Sequence, residues 1–228
     1  MDLKKQAANH AMDWIKSGMR LGLGAGSSVA HVVDGLPVLL AKGYQIECYT
    51  ASASTAILLR QRGISPGMLQ EIDRIDLYMD GCDQVDTRLN ALKSLGGIHT
   101  HEKLLASMAA SFILLGDDQK YRPNLDTTCP LAIEVIPEAA GYVVAAARKL
   151  FAEIVRTDWK QHPAGGAFIT PNSNYIYNLW FRSWPELSEI NPMIKSIPGV
   201  LETSLFYQMA SQAIMAGPAG VRVLDAGR

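Results

Sequence analysis

The 228-residue sequence predicts an α/β fold, a largely parallel twisted sheet with helices on both faces, carrying a smaller α+β unit. Two observations predict it. Strand-like and helix-like stretches alternate through the first half of the chain, as repeated βα units do. Composition then shifts at the polar, proline-bounded segment Pro123 to Pro130, after which the pattern becomes strands around a hairpin-like turn with two helices.

The elements follow in order. Residues Lys4 to Lys16 place Ala7, Ala8, Ala11, Met12 and Ile15 at helical spacing, and Gly18 ends that helix. Met19 to Leu23 is a short strand, then come Gly24-Ala25-Gly26-Ser27-Ser28 and a helix from Val29 towards Leu36. A strand, a glycine turn and a helix start can bind an anion, because amide N–H groups point inward and the helix N-terminus carries partial positive charge. Ser27 and Ser28 can cap the helix or donate hydroxyls to a phosphate. The stretch lacks the third glycine of a dinucleotide fingerprint and the GK[ST] of a P-loop. Tyr44 to Tyr49 is the second strand. Thr50 to Thr55 is a hydroxyl-rich turn suited to lining a polar pocket or capping a helix, and Ala56 to Arg62 is that helix.

Leu77-Tyr78-Met79 is a third, buried strand. It ends in Asp80-Gly81-Cys82-Asp83, and Lys93, the turn Gly96-Gly97 and Glu102-Lys103 follow, the last pair opening a helix to about Ala110. Two Asp, one Lys and one Glu thus sit on loops around one strand end, where open α/β sheets place their ligands. Ser111 to Gly116 is a fourth strand, with Asp117, Asp118 and Lys120 at its end. Past the boundary, Ile133 to Ile136 is a strand, Ala139 to Phe151 a helix, and residues 152–160 hold another strand. Phe168 to Thr170 and Tyr175 to Phe181 flank the turn Pro171-Asn172-Ser173-Asn174. Glu186 to Ile197 is helical with an interruption near Pro192, and the chain returns to short strands at Leu205-Phe206, Ala213 to Ala216 and Val221 to Leu224.

Composition narrows the function. Net charge is −1 with both signs mixed along the chain, unlike the basic stripe of a nucleic-acid binder. No apolar run has the length of a membrane helix, and the N-terminus lacks the apolar core of a signal peptide. The 3 cysteines, Cys48, Cys82 and Cys129, have no CxxC spacing and read as reduced thiols of a cytoplasmic protein. Only His99 and His101 are close together, without a frame for a metal.

Taken together these stretches resemble the type A ribose-5-phosphate isomerase family, over nearly the whole chain. The family's phosphate loop GTGST stands here as Gly24-Ala25-Gly26-Ser27-Ser28, and its DGADE motif as Asp80-Gly81-Cys82-Asp83-Gln84. Its KGGG segment leading to TREK stands as Lys93-Ser94-Leu95-Gly96 and Thr100-His101-Glu102-Lys103. Ile133-Glu134-Val135-Ile136-Pro137 and Ile197-Pro198-Gly199-Val200 match as well.

The resemblance implies a Rossmann-like domain over residues 1–128 and 204–228, with a small α+β, ferredoxin-like domain over residues 129–203. It implies Glu102 as general base, with Asp80, Asp83 and Lys93 as the polar frame around the sugar and no choice between the two Asp for ring opening. The phosphate would be taken by Ala25, Gly26, Ser27 and Ser28, with Lys120 lining the site and Lys4 at the phosphate end. Ser52, Gly81, Cys82, Ser94, Leu95 and Gly96 complete the expected pocket wall. The implied partner is a small sugar phosphate in a cytoplasmic homodimer or homotetramer, with no cofactor, no metal, no nucleic acid and no membrane. The reaction would be aldose–ketose isomerisation of ribose 5-phosphate through an ene-diolate. Departures at Ala25, Gln84, Ser94, Leu95 and His101 touch the pocket walls, Gln84 removing a charge near the site. They leave two alternatives, an isomerase for another aldose phosphate and a non-catalytic sugar-phosphate sensor.

Overall fold

A computed structural model describes residues 2–225. Met1 and residues 226–228, which the expected first domain includes, lie outside the described residues. The first half alternates α1 (Leu3–Ala11), β1 (Arg20–Leu23), α2 (Ser27–Ala41), β2 (Glu47–Tyr49), α3 (Ala53–Gln61) and β3 (Ile75–Gly81). After β4 (Gln84–Val85) and β5 (Ala91–Leu92) come α4 (His99–Met108) and β6 (Ala109–Asp117). The second half has β7 (Leu131–Val135), α5 (Ala140–Leu150), β8 (Ile154–Trp159), β9 (Tyr175–Phe181), α6 (Leu187–Lys195) and β10 (Val200–Thr203). The chain closes with β11 (Leu205–Phe206), β12 (Gln212–Gly217) and β13 (Gly220–Asp225).

The main sheet has the order β13-β12-β6-β3-β1-β2, parallel except for the terminal β12–β13 hairpin. Alternation along its strands separates two cores. Leu77, Met79, Ile113, Leu115, Ile214 and Ala216 face α1 and α2, which contribute Ala7, Ala11, Val29, Val32, Val33 and Leu36. Tyr78, Phe112, Leu114, Ala213 and Met215 face the other way, onto Leu105 and Ala106 of α4 and onto Phe206. A separate antiparallel sheet, β10-β7-β9-β8, buries Ile133, Val135, Leu179 and Phe181 against Val143 and Ala147 of α5 and Ile190 and Ile194 of α6. Between them lies a three-stranded sheet, β11-β5-β4. It was not legible in the sequence, because two-residue strands carry no period, and Leu205-Phe206 belongs to it rather than to the main sheet.

The interruption expected near Pro192 is absent, and the helix read from Val29 towards Leu36 continues past Pro37. α2 runs through Pro37 and α6 through Pro192. A proline inside a helix removes one backbone hydrogen bond and crowds the carbonyl four residues back, at a cost of about 3 kcal/mol. Burial on both sides offsets it: in α6, Ile190 and Ile194 straddle Pro192 and are both fully buried. Helix α4 starts at His99, with the Glu102 N–H bonded to Ile98 O at 3.1 Å, so the polar first turn precedes the apolar pattern that marks the helix in sequence.

What positions the site is the direction of the crossovers. From β1 the chain goes through α2 to β2 on one side, while β3 lies on the other side of β1 and leads towards β6. The loops leaving β1 and β3 diverge and open a crevice at the carboxyl ends of the strands, the topological switch point of such sheets.

Candidate active site

The crevice is a cleft of about 210 Å³ between residues 25–28 after β1, residues 81–83 after β3, Lys93 and Gly96, Glu102 on α4 and Lys120. Asp80 seals its floor. It is fully buried at the end of β3, and among the described residues its two oxygens are met by four donors. Its Oδ1 accepts N–H bonds from Gly81 at 2.7 Å and Ala25 at 3.1 Å, and its Oδ2 accepts the Tyr78 hydroxyl at 2.5 Å. The carboxyl can sit there only because residue 24 has no side chain: a Cβ on Gly24 would lie 1.9 Å from Asp80 Cγ.

Lys93, reaching in from the end of β5, ties the two loops and α4 together. Its Nζ lies 2.8 Å from Asp80 Oδ2 and 3.4 Å from Glu102 Oε1, and donates to Gly81 O at 2.5 Å. Burial pushes the Lys93 ammonium down, but the charges of Asp80 and Glu102 more than reverse this and hold it above the ordinary lysine range. Glu102 is the opposite case. Burial raises its carboxyl, Lys93, nearer to Asp80, pulls it back only in part, and Asp80 adds to the rise, so that it stands at about 8 against an ordinary 4.5. A carboxyl that titrates close to neutrality is suited to taking and returning a proton.

Helix α4 is clamped on both sides of Glu102. Thr100 donates to Glu134 of β7, a buried carboxylate that also receives Thr170 at 2.7 Å and Asn172 and Asn174 at 3.0 Å. Burial pushes Glu134 up, and these donors outweigh it, so its carboxyl lies below the ordinary value. Lys103 donates to Glu202 at 3.0 Å and to Thr203 O at 2.6 Å in β10; burial pushes its ammonium down to about 8 against the pull of Glu202. The small antiparallel sheet thus fixes the helix that carries Glu102.

Asp83 lines the cleft opposite. Its Oδ2 accepts the backbone N–H of Ser94 at 2.7 Å and of Leu95 at 2.8 Å, while among the described residues its Oδ1 receives no hydrogen bond. At the other end of the cleft, the first turn of α2 opens on Ser27 and Ser28 with free amides and partial positive charge, and Lys120 adds a full one. Together these give one end for an anion and another for hydroxyls, with a carboxyl of raised pKa between loops.

Comparison with known proteins gives the family. The sequence model of ribose 5-phosphate isomerase A (phosphoriboisomerase A) matches residues 47–220. The chain is 34% identical over 227 residues to ribose-5-phosphate isomerase A of Rhodopseudomonas palustris (strain BisB5), covering 98% of this chain and 97% of that one. The chain belongs to the ribose 5-phosphate isomerase A family. The structure of ribose 5-phosphate isomerase A from Methanocaldococcus jannaschii superposes with a TM-score of 0.91 at 29% identity, over 98% of each chain. A D-ribose-5-phosphate isomerase in complex with phospho-erythronic acid gives 0.92 at 30% identity, over 99% of this chain and 100% of that one.

Of the family residues expected from the sequence, Glu102, Asp83, Lys93, residues 25–28, Gly81, Cys82, Gly96 and Lys120 line one cleft, with Asp80 beneath them. The Cys82 thiol is pushed up to about 12 by burial and stays neutral there. Others stand elsewhere. The Ser52 hydroxyl caps α3, accepting the Thr55 N–H at 3.2 Å. The Ser94 hydroxyl turns to Pro130 O at 2.5 Å, and Leu95 is exposed; both serve the site through backbone amides. Lys4 borders an adjoining groove that meets the cleft only at Ser27. Gln84 does not remove a charge from the cleft: its amide nitrogen donates to Asp126 at 2.5 Å and Thr128 at 2.7 Å, outside it. Sequence reading missed Tyr78, though the strand period already put it on the same face as Asp80. It also missed Phe206, whose ring lies 5.8 Å from Lys93 Nζ, and nothing local in the sequence pointed to that contact.

Proposed function

We propose the following division of labour for the interconversion of D-ribose 5-phosphate and D-ribulose 5-phosphate, the reaction of this chain's family. Glu102 is the general base. It takes the proton from C2 of the open-chain aldose and returns it to C1, while the hydroxyl proton passes from O2 to O1. Lys93, held charged between Asp80 and Glu102, meets the negative oxygen of the ene-diolate. The amides and hydroxyls of residues 25–28, with Lys120, hold the phosphate, and that remote anchor fixes the reacting carbons.

Asp83 is the carboxylate that meets the sugar hydroxyls and assists ring opening, because it lines the cleft with one oxygen unused. Asp80 is fully buried and serves Lys93. The single observation that carries the reading is the Glu102 carboxyl, buried in the cleft wall 3.4 Å from the Lys93 ammonium, where burial raises its pKa towards neutrality. The relative that binds phospho-erythronic acid supports a phosphorylated sugar-like occupant for the same fold. No helix among the described residues is long and apolar enough to cross a membrane. A cytoplasmic homodimer or homotetramer is the proposed working form.

The test is turnover of the purified protein on five- and six-carbon aldose phosphates with EDTA present. Fast turnover of ribose 5-phosphate that survives chelation supports the proposal. Turnover of another sugar alone would assign the departures at Ala25, Ser94 and Leu95 to substrate choice, and binding without turnover would make the chain a sensor.

A further inference from the structure

The turn that feeds amides to Asp83 is itself held by a side chain from the other domain, and that side chain belongs to none of the family motifs found in the sequence. Lys160 follows β8, and β9 on one side and the loop before it on the other fix its backbone. Its N–H donates to Ile176 O at 2.8 Å, and its carbonyl accepts the Phe168 N–H at 2.8 Å. From there the side chain crosses to the 94–97 turn, where Nζ donates to Leu95 O at 2.7 Å and lies 5.6 Å from the centroid of the Phe168 ring. The turn is seated directly on this pair. Gly97 has φ +90°, and a Cβ there would lie 2.8 Å from Phe168 Cε1 and 3.3 Å from Lys160 Cε, so only glycine lets the turn come this close.

The contact leads straight to the site. Leu95 receives Lys160 on its carbonyl and gives its own N–H to Asp83 Oδ2 at 2.8 Å, with Ser94 N–H beside it at 2.7 Å. Lys160 is also within electrostatic reach of that carboxylate: burial pushes its ammonium down, and the Asp83 charge raises it in part. At its start the turn is also anchored by the Ser94 hydroxyl, on Pro130 O at 2.5 Å and beside the Ser204 hydroxyl at 2.9 Å, and Leu95 itself is 59% exposed, so its side chain contributes little to holding the turn. An apolar side chain in place of Lys160 would keep the contact with Phe168 and lose the hold on the carbonyl.

We infer that Lys160 is a positioning residue for the isomerisation, acting through the 94–97 turn to aim the Asp83 carboxylate at the sugar hydroxyls. The inference rests on the proposed role of Asp83 and adds to it a cross-domain support. It predicts a defect confined to the sugar end of the cleft.

The test compares wild type with Lys160→Met, Lys160→Gln and Lys160→Arg, each also in an Asp83→Asn background. Loosening a positioned group by about 1 Å costs on the order of 10²-fold in rate, so Lys160→Met should lower kcat/KM for ribose 5-phosphate by about 10–100-fold. The donor-retaining Arg variant should keep most of the activity, with Gln between. Competitive inhibition by inorganic phosphate, which needs only the phosphate end of the cleft, should be unchanged in all three. In the Asp83→Asn background Lys160→Met should add little further loss. Unchanged kcat/KM in Lys160→Met and Lys160→Gln overturns the inference. So does an equal loss in both backgrounds, or a parallel weakening of phosphate inhibition. Failure of the wild type to turn over ribose 5-phosphate would instead overturn the proposed function itself.

Discussion

Replacing Glu102 by Gln keeps the size and most of the hydrogen-bonding shape of the side chain and removes its capacity to take a proton. Burial sets the carboxyl at about 8, so at pH 7 about one site in ten is ionised before substrate binds. The wild-type kcat/KM should therefore rise roughly tenfold per pH unit on its acid limb and level off above about 8. In the Gln variant that limb should vanish and kcat should fall by about 10²–10⁴-fold. KM should move little, because the proposed phosphate and hydroxyl contacts fall to residues 25–28 and Asp83, which line the cleft apart from Glu102.

Glu102→Asp should fall between the two. It withdraws the carboxylate by about one C–C bond, roughly 1.5 Å, and a misplacement of about 1 Å costs on the order of 10²-fold. A purely structural role cannot reproduce this pattern, since an acid in a first helical turn is worth only about 0.3–1 kcal/mol of stability. The stability change should even have the opposite sign in alkali. A carboxyl whose folded pKa is raised adds stability below its ordinary 4.5 and loses it as pH passes through about 8. Glu102→Gln should therefore be less sensitive to alkali than wild type. The assays are initial rates from pH 5 to 9 and exchange of the substrate C2 proton with deuterated solvent. A Gln variant that turns over near the wild-type rate, or still exchanges that proton, refutes Glu102 as the base.

Three further outcomes are expected. Ser27→Asp should raise KM for the sugar phosphate sharply with kcat less affected, because it sets a carboxylate against the phosphate at the start of α2; an unchanged KM would make the loop a capped turn and nothing more. Lys93→Met should abolish turnover and destabilise the fold by about 3–5 kcal/mol, since it leaves Asp80 buried without its cation; urea unfolding at wild-type midpoint would contradict the ion-pair reading. Glu134, with a folded pKa below 4.5, contributes stability that is present above that value and lost as pH falls through the folded pKa. Glu134→Gln should accordingly flatten the acid side of the stability–pH curve, and an unaltered acid limb in urea titrations from pH 7 to 3 would remove Glu134 from that role.

Much of this protein could be read from its residues in order. The βα alternation gave the parallel sheet, because buried strands and amphipathic helices leave periods that a chain displays locally. Asp80, Asp83, Lys93 and Glu102 were visible because they sit in short, ordered motifs at strand and helix ends. The boundary of the glycine turn at residues 24–28 was visible for the same reason.

What only the tertiary structure decided were relations between distant residues. Asp80 and Asp83 are equivalent in sequence, two carboxylates in one motif, yet one is sealed under Gly24 and Tyr78 and the other faces the cleft. Gln84 completes the same motif but turns to Asp126 and Thr128 on a loop about forty positions on. Pro37 and Pro192 look like helix breakers until the burial around them is known. The pKa of Glu102 depends on the burial of its carboxyl and on a lysine shared with Asp80, and Lys160 meets the Leu95 carbonyl from 65 positions away. Burial, charge sharing and cross-domain contact depend on distances in three dimensions, and a local pattern of residue types carries none of them.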